Sequence, residues 1–295
     1  MQGLRLAPGA VLVTGASSGI GHAIALTLDR HGFQVFASVR RSEDGDALRR
    51  VASERLMPVA LDVTDPQSIA RAVAAVDAAV GPAGLQGLVN NAGIGIPGPV
   101  EYLPLADLRL QFEVNVFGQI AVIQACLPLL RRAQGRIVNL GSVGDRITIP
   151  FGGALTASKS AFASLTEALR LELHPWGLDV CLIEPGSIVT PAIDKVLGDS
   201  ERIVRRLPAE GAQRYADMFR TFTRRAIARE RQGSSPQVVA DIVVAALTAA
   251  RPRTRYPVGK DARLLTVLPR LLPDRVLDQM RLRLFGMPAT FGALH

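Results

Sequence analysis

The segment VLVTGASSGIGHAIA, residues 11–25, sets Gly15, Gly19 and Gly21 where a short apolar run gives way to helical period. Glycines at such a junction let the backbone turn tightly and approach a pyrophosphate, whose charge is favoured by the free N–H groups and dipole of the following helix. The spacing is G-x-x-x-G-x-G, not the commoner G-x-G-x-x-G, and an ordinary strand-to-helix turn would also use glycine. The end of the next apolar run, ASVRR, bears on which nucleotide it is. An acid there would bind the adenosine ribose hydroxyls, whereas a cation would meet a 2′-phosphate. Val39 stands in the acid's place and Arg40 and Arg41 follow, so NADP(H) is favoured over NAD(H); the alternative is a pair of solvated loop arginines. Asp62, in ALDVTD, is placed for the adenine, and NNAG, residues 90–93, closes a strand where the nucleotide would cross the sheet. Either could instead be turn chemistry.

A second group carries possible proton chemistry. GGALTASKS, residues 152–160, reads as the start of a helix, in which Leu155 and Lys159 at i, i+4 project from one face. Such a helix start should carry a catalytic base, and Leu155, one turn before Lys159, cannot serve as one. Ser142 in NLGS and Asn115 in EVNVFG are the other polar candidates.

Positioning these residues requires a sheet. Short β-branched runs at 10–14, 34–39, 57–61, 87–90, 136–141 and 178–184 alternate with helical periods at 19–31, 45–54, 66–80, 105–132 and 153–174. That alternation predicts an α/β fold with a doubly wound parallel sheet, and continuous apolar strands such as AVLVT and GLVN imply burial on both faces. No repeat or Pro/Gly-rich linker divides the 295 residues, so a single domain over 1–295 is expected. Residues 191–232 read as an inserted, arginine-rich pair of helices, 236–250 as a core-facing helix and 253–259 as a short last strand. The tail, 260–295, alternates leucine and arginine at helical spacing, broken by Pro269 and Pro273. It is expected to pack on the body, with a greasy lid or a membrane-surface contact as the sharper alternative.

Charge and cysteine usage narrow the class. The net charge of +8 is concentrated in residues 201–295, where 18 Lys and Arg face 8 Asp and Glu, leaving −2 for residues 1–200. Those arginines are interleaved with apolar rather than aromatic residues, which favours a solvated helical face over nucleic-acid binding. Cys126 and Cys181 sit in apolar runs, so no disulfide framework or metal-ligand spacing is present and a reducing cytoplasm fits. The apolar stretch at 10–28 has no basic leader and is interrupted by glycines, as a strand, turn and helix would be.

Taken together, TGASSGIG at 14–21, NNAG at 90–93, Asn115, Ser142, Lys159 within ASKSAF and PGSIVT at 185–190 resemble the short-chain dehydrogenase/reductase family over roughly residues 8–190. The last third is similar to the basic, leucine-rich tail of bacterial members akin to steroid and retinol dehydrogenases. The resemblance implies a Rossmann-type domain with a core at 8–190, substrate-lid helices at 191–232 and the helical tail. It assigns to the nucleotide Gly15, Ser17, Ser18, Gly19, Ile20, Gly21, Arg40, Asp62, Val63, Asn91, Ala92, Gly93, Lys159, Pro185, Gly186, Ile188 and Thr190. It also implies that Ser142 holds the substrate oxygen, that Lys159 binds the nicotinamide ribose and that Asn115 maintains a water path for protons. In the family a tyrosine four residues before the lysine handles the substrate proton; here that position is Leu155. Thr156 lies about 100° further round the helix and its pKa is far too high to substitute. Tyr102 and Tyr256 lie in unrelated segments, and Tyr215 reaches the cleft only if the inserted helices fold over it.

The expectation is an NADP-dependent oxidoreductase acting on a small hydrophobic alcohol or ketone with altered acid catalysis, assembled as a homodimer or homotetramer through helices 105–132 and 153–174. The competing reading is a pseudoenzyme that binds or senses NADP(H). Retention of Ser142, Asn115 and Lys159 argues for the enzyme, and Leu155 for the binder.

Overall fold

The computed structural model describes residues 8–292, so the first seven and last three residues of the expected domain lie outside it. Seven strands form one parallel sheet in the order β3-β2-β1-β4-β5-β6-β7: β1 (Ala10–Val13), β2 (Gln34–Val39), β3 (Leu56–Ala60), β4 (Gly87–Asn90), β5 (Arg136–Leu140), β6 (Asp179–Pro185) and β7 (Arg255–Val258). Strand order reverses between β1 and β4, which opens a crevice at the carboxyl ends of these strands, the usual ligand position in such sheets.

Alternation along each strand builds two cores. Val11 and Val13 of β1 face α1 (Gly19–Arg30) and α10 (Pro236–Thr248), where Ile24, Leu28, Val239 and Val243 are buried. Ala10 and Leu12 face the other layer, formed by α3 (Pro66–Val80), α5 (Gly118–Ala133) and α6 (Gly153–Leu173). The period of two in a strand buried on both sides produces this division.

The helix expected over 105–132 is interrupted. α4 (Leu105–Phe112) passes through a π-helical turn at Glu113–Phe117 before α5 begins. Leu105–Ala133 is, by length and composition, long enough to cross a membrane, but half of its most apolar window is buried, as in a core helix. α2 (Ser42–Arg49) starts three residues earlier than expected, in a turn carrying Glu43 and Asp44 at its positive end. The insertion holds three helices rather than two: α7 (Ala192–Leu197), α8 (Ser200–Arg205) and α9 (Ala209–Arg231). Phe219 and Phe222 of α9 pack on Phe151 with ring centroids 5.2 and 5.3 Å away, giving the insertion its own small core beside the sheet. The tail forms α11 (Ala262–Leu271) and α12 (Asp274–Phe285).

Candidate active site

The glycine turn is built for close approach. Gly15 adopts φ +66°, and a Cβ there would stand 2.8 Å from Ala92 Cα. A Cβ on Gly21 would collide with the Gly15 carbonyl oxygen and the Asn91 amide. Asn91 donates from Nδ2 to the carbonyls of Thr14 and Gly15 at 2.9 and 3.1 Å, while Thr14 Oγ1 accepts from the N–H groups of Asn91 and Ala92. β1 and β4 thereby hold both sides of the crevice in register. Ser18 begins α1 without a side-chain capping bond, and no acid occupies the first turn. The turn's N–H groups and positive dipole end therefore suit an anionic group such as a pyrophosphate.

Ser38 on β2 ties that turn to the next strand, accepting from Gly15 N–H at its hydroxyl and from Ala16 N–H at its carbonyl. The three residues that follow separate in role. Val39 is buried in the core on the α1 side of the sheet. Arg41 is held by Asp44 through two hydrogen bonds, 3.1 and 2.9 Å, within the first turn of α2. Arg40 is exposed, with Asp62 the carboxylate that feels its charge. Of the two arginines expected to meet a 2′-phosphate, Arg40 is the one without a local carboxylate pair of this kind.

Asp62 does close a turn: its Oδ1 accepts from Thr64 N–H at 2.9 Å and from the Thr64 hydroxyl at 2.7 Å. These bonds, aided by Arg40, hold its carboxyl below the usual carboxylate range. Val63 is buried beside it, where its carbonyl allows only a glycine, Gly118, in the facing helix.

Asn115 sits in the π turn, fully buried. Its Oδ1 accepts from Ile94 N–H at 2.9 Å, and its Nδ2 donates to Ile94 O at 3.0 Å and to Ser158 Oγ at 3.1 Å. Gln111 binds the same loop through Ile94 O and Ile96 N–H, and Gln119 donates to Ala92 O. Sequence reasoning missed both glutamines. Their signal was the spacing, i−4 and i+4 from Asn115, and the wider π turn lets three consecutive positions of this series address one loop.

The loop Pro185–Thr190 reaches back to the nucleotide turn, with Thr190 Cβ 3.4 Å from where a Cβ on Gly19 would lie. Its posture depends on residues outside the motifs. Asp261 accepts from Ser187 N–H and its hydroxyl at 3.2 and 3.1 Å, and pairs with Arg229 at 2.6 Å. Glu230 accepts from Ile188 N–H at 3.2 Å, and Gly186 leaves room for the Asp261 carboxylate.

Lys159 extends from α6 to the end of β5, where Nζ donates to Leu140 O at 2.7 Å. Ser142, two residues beyond, begins a 3-10 turn at Val143–Asp145 and accepts from Gly144 N–H at 3.0 Å, leaving its hydroxyl proton for a ligand. Burial pushes the Lys159 ammonium down to about 8, partly opposed by the Asp145 carboxylate. Asp145 and Glu184 are themselves buried and share Arg255 Nη1, at 2.8 and 2.6 Å. Glu184 is pushed up by burial and by Asp145. Asp145 Oδ1 is buried without a hydrogen-bond partner among the described residues. Removing the charge in Asp145→Asn is expected to lower the Lys159 pKa further, displacing the corresponding limb of a pH–rate profile to lower pH.

Leu155 is half-buried at the α6 N-terminus. Its Cδ2 lies 3.8 Å from the position a Cβ on Gly95 would take, a point that Val196 Cγ1 and Cγ2 approach to 3.5 and 3.6 Å. The insertion therefore folds over an apolar wall formed by Leu155 and Val196. Tyr215 reaches the mouth of this region, yet its hydroxyl donates to Glu101 at 2.6 Å, which pushes its pKa up. Tyr102 is held by Arg214 and Tyr256 by Arg253 N–H. The three tyrosines are thus engaged away from the proton position. The surface hollows around Gln34, Ser53 and Arg55 and around Pro8, Gly32 and Gln86 lie at the opposite, amino ends of the strands.

Comparison with known proteins agrees with this geometry. The short chain dehydrogenase family model matches residues 9–201. Retinol dehydrogenase 5 of Mus musculus is 37% identical over 98% of this chain and 92% of its own. 11-beta-hydroxysteroid dehydrogenase type 2 of Oryctolagus cuniculus is 36% identical over 99% of this chain and 74% of its own. Among solved structures, a short chain dehydrogenase from Burkholderia cenocepacia in complex with NADP is 27% identical, with a TM-score of 0.70 over 93% of this chain and 97% of its own. The chain belongs to the short-chain dehydrogenase/reductase family of oxidoreductases.

Proposed function

We propose that this protein is an NADP(H)-dependent oxidoreductase that interconverts a hydrophobic alcohol and its carbonyl compound, with Lys159 Nζ as the proton-bearing group in place of a phenol. The observation that carries the reading is α6 itself: it retains Lys159 at the end of β5 while presenting Leu155 to an apolar cleft. The dinucleotide would be held by the Gly15–Gly21 turn, Arg40, Asp62, Asn91 and the Pro185–Thr190 loop, and would supply or accept hydride. Ser142 orients the substrate oxygen through its hydroxyl, and Lys159 gives that oxygen a proton in reduction or takes one in oxidation. Leu155 and Val196 exclude water and favour an apolar substrate. The relatives named as retinol and hydroxysteroid dehydrogenases support a substrate of that hydrophobic class.

Assembly as a homodimer or homotetramer is part of the proposal, supported by the exposed Phe117 at the end of the π turn and by Leu165 and Leu171 on α6. The buried thiols of Cys126 and Cys181, both pushed up to about 12 and therefore unreactive, fit a cytoplasmic location.

The test is a pH profile in both directions with NADPH or NADP and a panel of apolar ketones and alcohols. Reduction needs the ammonium and should fall as pH rises through about 8; oxidation needs the amine and should rise through the same value. Rates flat across this range in both directions would remove Lys159 from the proton step.

A further inference from the structure

The last two helices pack on the body by one narrow side and leave further apolar residues uncovered. α11 buries only Ala262 and Thr266, and α12 only Leu277 and Phe285. Leu264, Val267 and Leu271 on α11 and Val276, Met280 and Leu284 on α12 remain 46% to 72% exposed. At about 100° per residue, each trio occupies one stripe of roughly 60° to 80° on its helix. The stripes are therefore ordered features and not isolated leucines.

Exposed cations accompany both stripes. Arg263 and Arg270 lie along one edge of the first, and Arg283 lies at the edge of the second. The salt bridges nearby use other arginines, joining Arg229 to Asp261 and Arg281 to Asp278. Residues 201–295 as a whole carry a net +10. Apolar side chains edged by long cationic ones match a boundary between hydrocarbon and anionic headgroups, where the arginine stems can lie along apolar surface and the guanidinium groups reach phosphate.

We propose that the exposed face of α11 and α12 docks on an anionic lipid surface. A second copy of the chain fits this face less well, because pressing two such faces together would gather like-charged, unpaired arginines in one interface. Docking rests on these surface residues alone and holds whatever the substrate proves to be. It also bears on the lid: from the buried side of α12, Phe285 packs at a tilt on Phe222 with ring centroids 5.1 Å apart, and Phe222 packs on Phe151. The lipid-facing helices thus adjoin the insertion that covers Leu155.

The experiment is co-sedimentation of the full chain with phosphatidylcholine vesicles, with and without phosphatidylglycerol. Binding should be about tenfold or more tighter to the anionic vesicles and should weaken as salt is added. Leu264→Glu/Leu271→Glu, Met280→Glu/Leu284→Glu and Arg263→Gln/Arg270→Gln/Arg283→Gln should each weaken it by about tenfold or more, with thermal unfolding unchanged. Three independent substitutions keep the test decisive if one of them misfolds. Absence of any preference for anionic vesicles, or variants that bind like the parent, would overturn the proposal. So would a dimer in sedimentation velocity that the leucine variant dissociates in a chain that ignores vesicles, since that result assigns the face to a second copy.

Discussion

Leu155→Tyr is expected to raise carbonyl reduction by about 10² or more, the scale on which a positioned general acid acts. Ser142 and Lys159 already stand at the end of β5, and the side chain at 155 faces the cleft beside Gly95 and Val196. A phenol at this position would place an acidic proton on the helix face that Lys159 shares. Because the leucine is half-buried against Val196, the larger ring is expected to cost about 1 to 3 kcal/mol of stability. The variant should therefore be assayed with NADPH and apolar ketones beside the parent, with thermal unfolding measured on both. A folded variant no faster than the parent would show that the missing phenol is not what limits the parent. The pH profile separates the two proton sources: the parent should follow the Lys159 limb near 8, and the variant should acquire the limb of its phenol.

Arg40→Ala should weaken NADPH binding by roughly 10- to 10²-fold while leaving NADH binding nearly unchanged, as expected from losing one charge-assisted contact to a 2′-phosphate. Arg41→Ala should change NADPH affinity by less than about threefold, because two hydrogen bonds to Asp44 direct its guanidinium to the first turn of α2. Calorimetric titration of both variants with both cofactors provides the comparison. Equal losses for NADPH and NADH in Arg40→Ala would place that side chain near the pyrophosphate or adenine and away from the 2′ position. A large loss in Arg41→Ala would mean that the Asp44 pair opens to receive the phosphate.

What the sequence determined by itself was local and periodic. Alternation of apolar runs placed β1, β2, β4 and β5 within a residue of their observed ends, because a strand buried on both faces needs nearly unbroken hydrophobic side chains. The glycine turn was legible because only glycine tolerates Gly15's positive φ and the contact at Gly21. The i, i+4 pair Leu155 and Lys159 needed only helical geometry. Tertiary structure alone decided whatever depended on partners distant in the chain. Arg40 and Arg41 are equivalent as letters, and they separate only when α2 brings Asp44 back to Arg41. Asp145, Glu184 and Arg255 belong to different segments and acquire their charge coupling only where β6 and β7 close beside the turn after β5. Asp261 and Glu230 support the Pro185–Thr190 loop from elements dozens of residues away. The tail's spacing declared two amphipathic helices, but which face they would bury depended on the surface left by α9 and β7. That surface accepts Leu277 and Phe285 and leaves the leucine stripes in water, because packing one side of a narrow helix against the body fills the available contact.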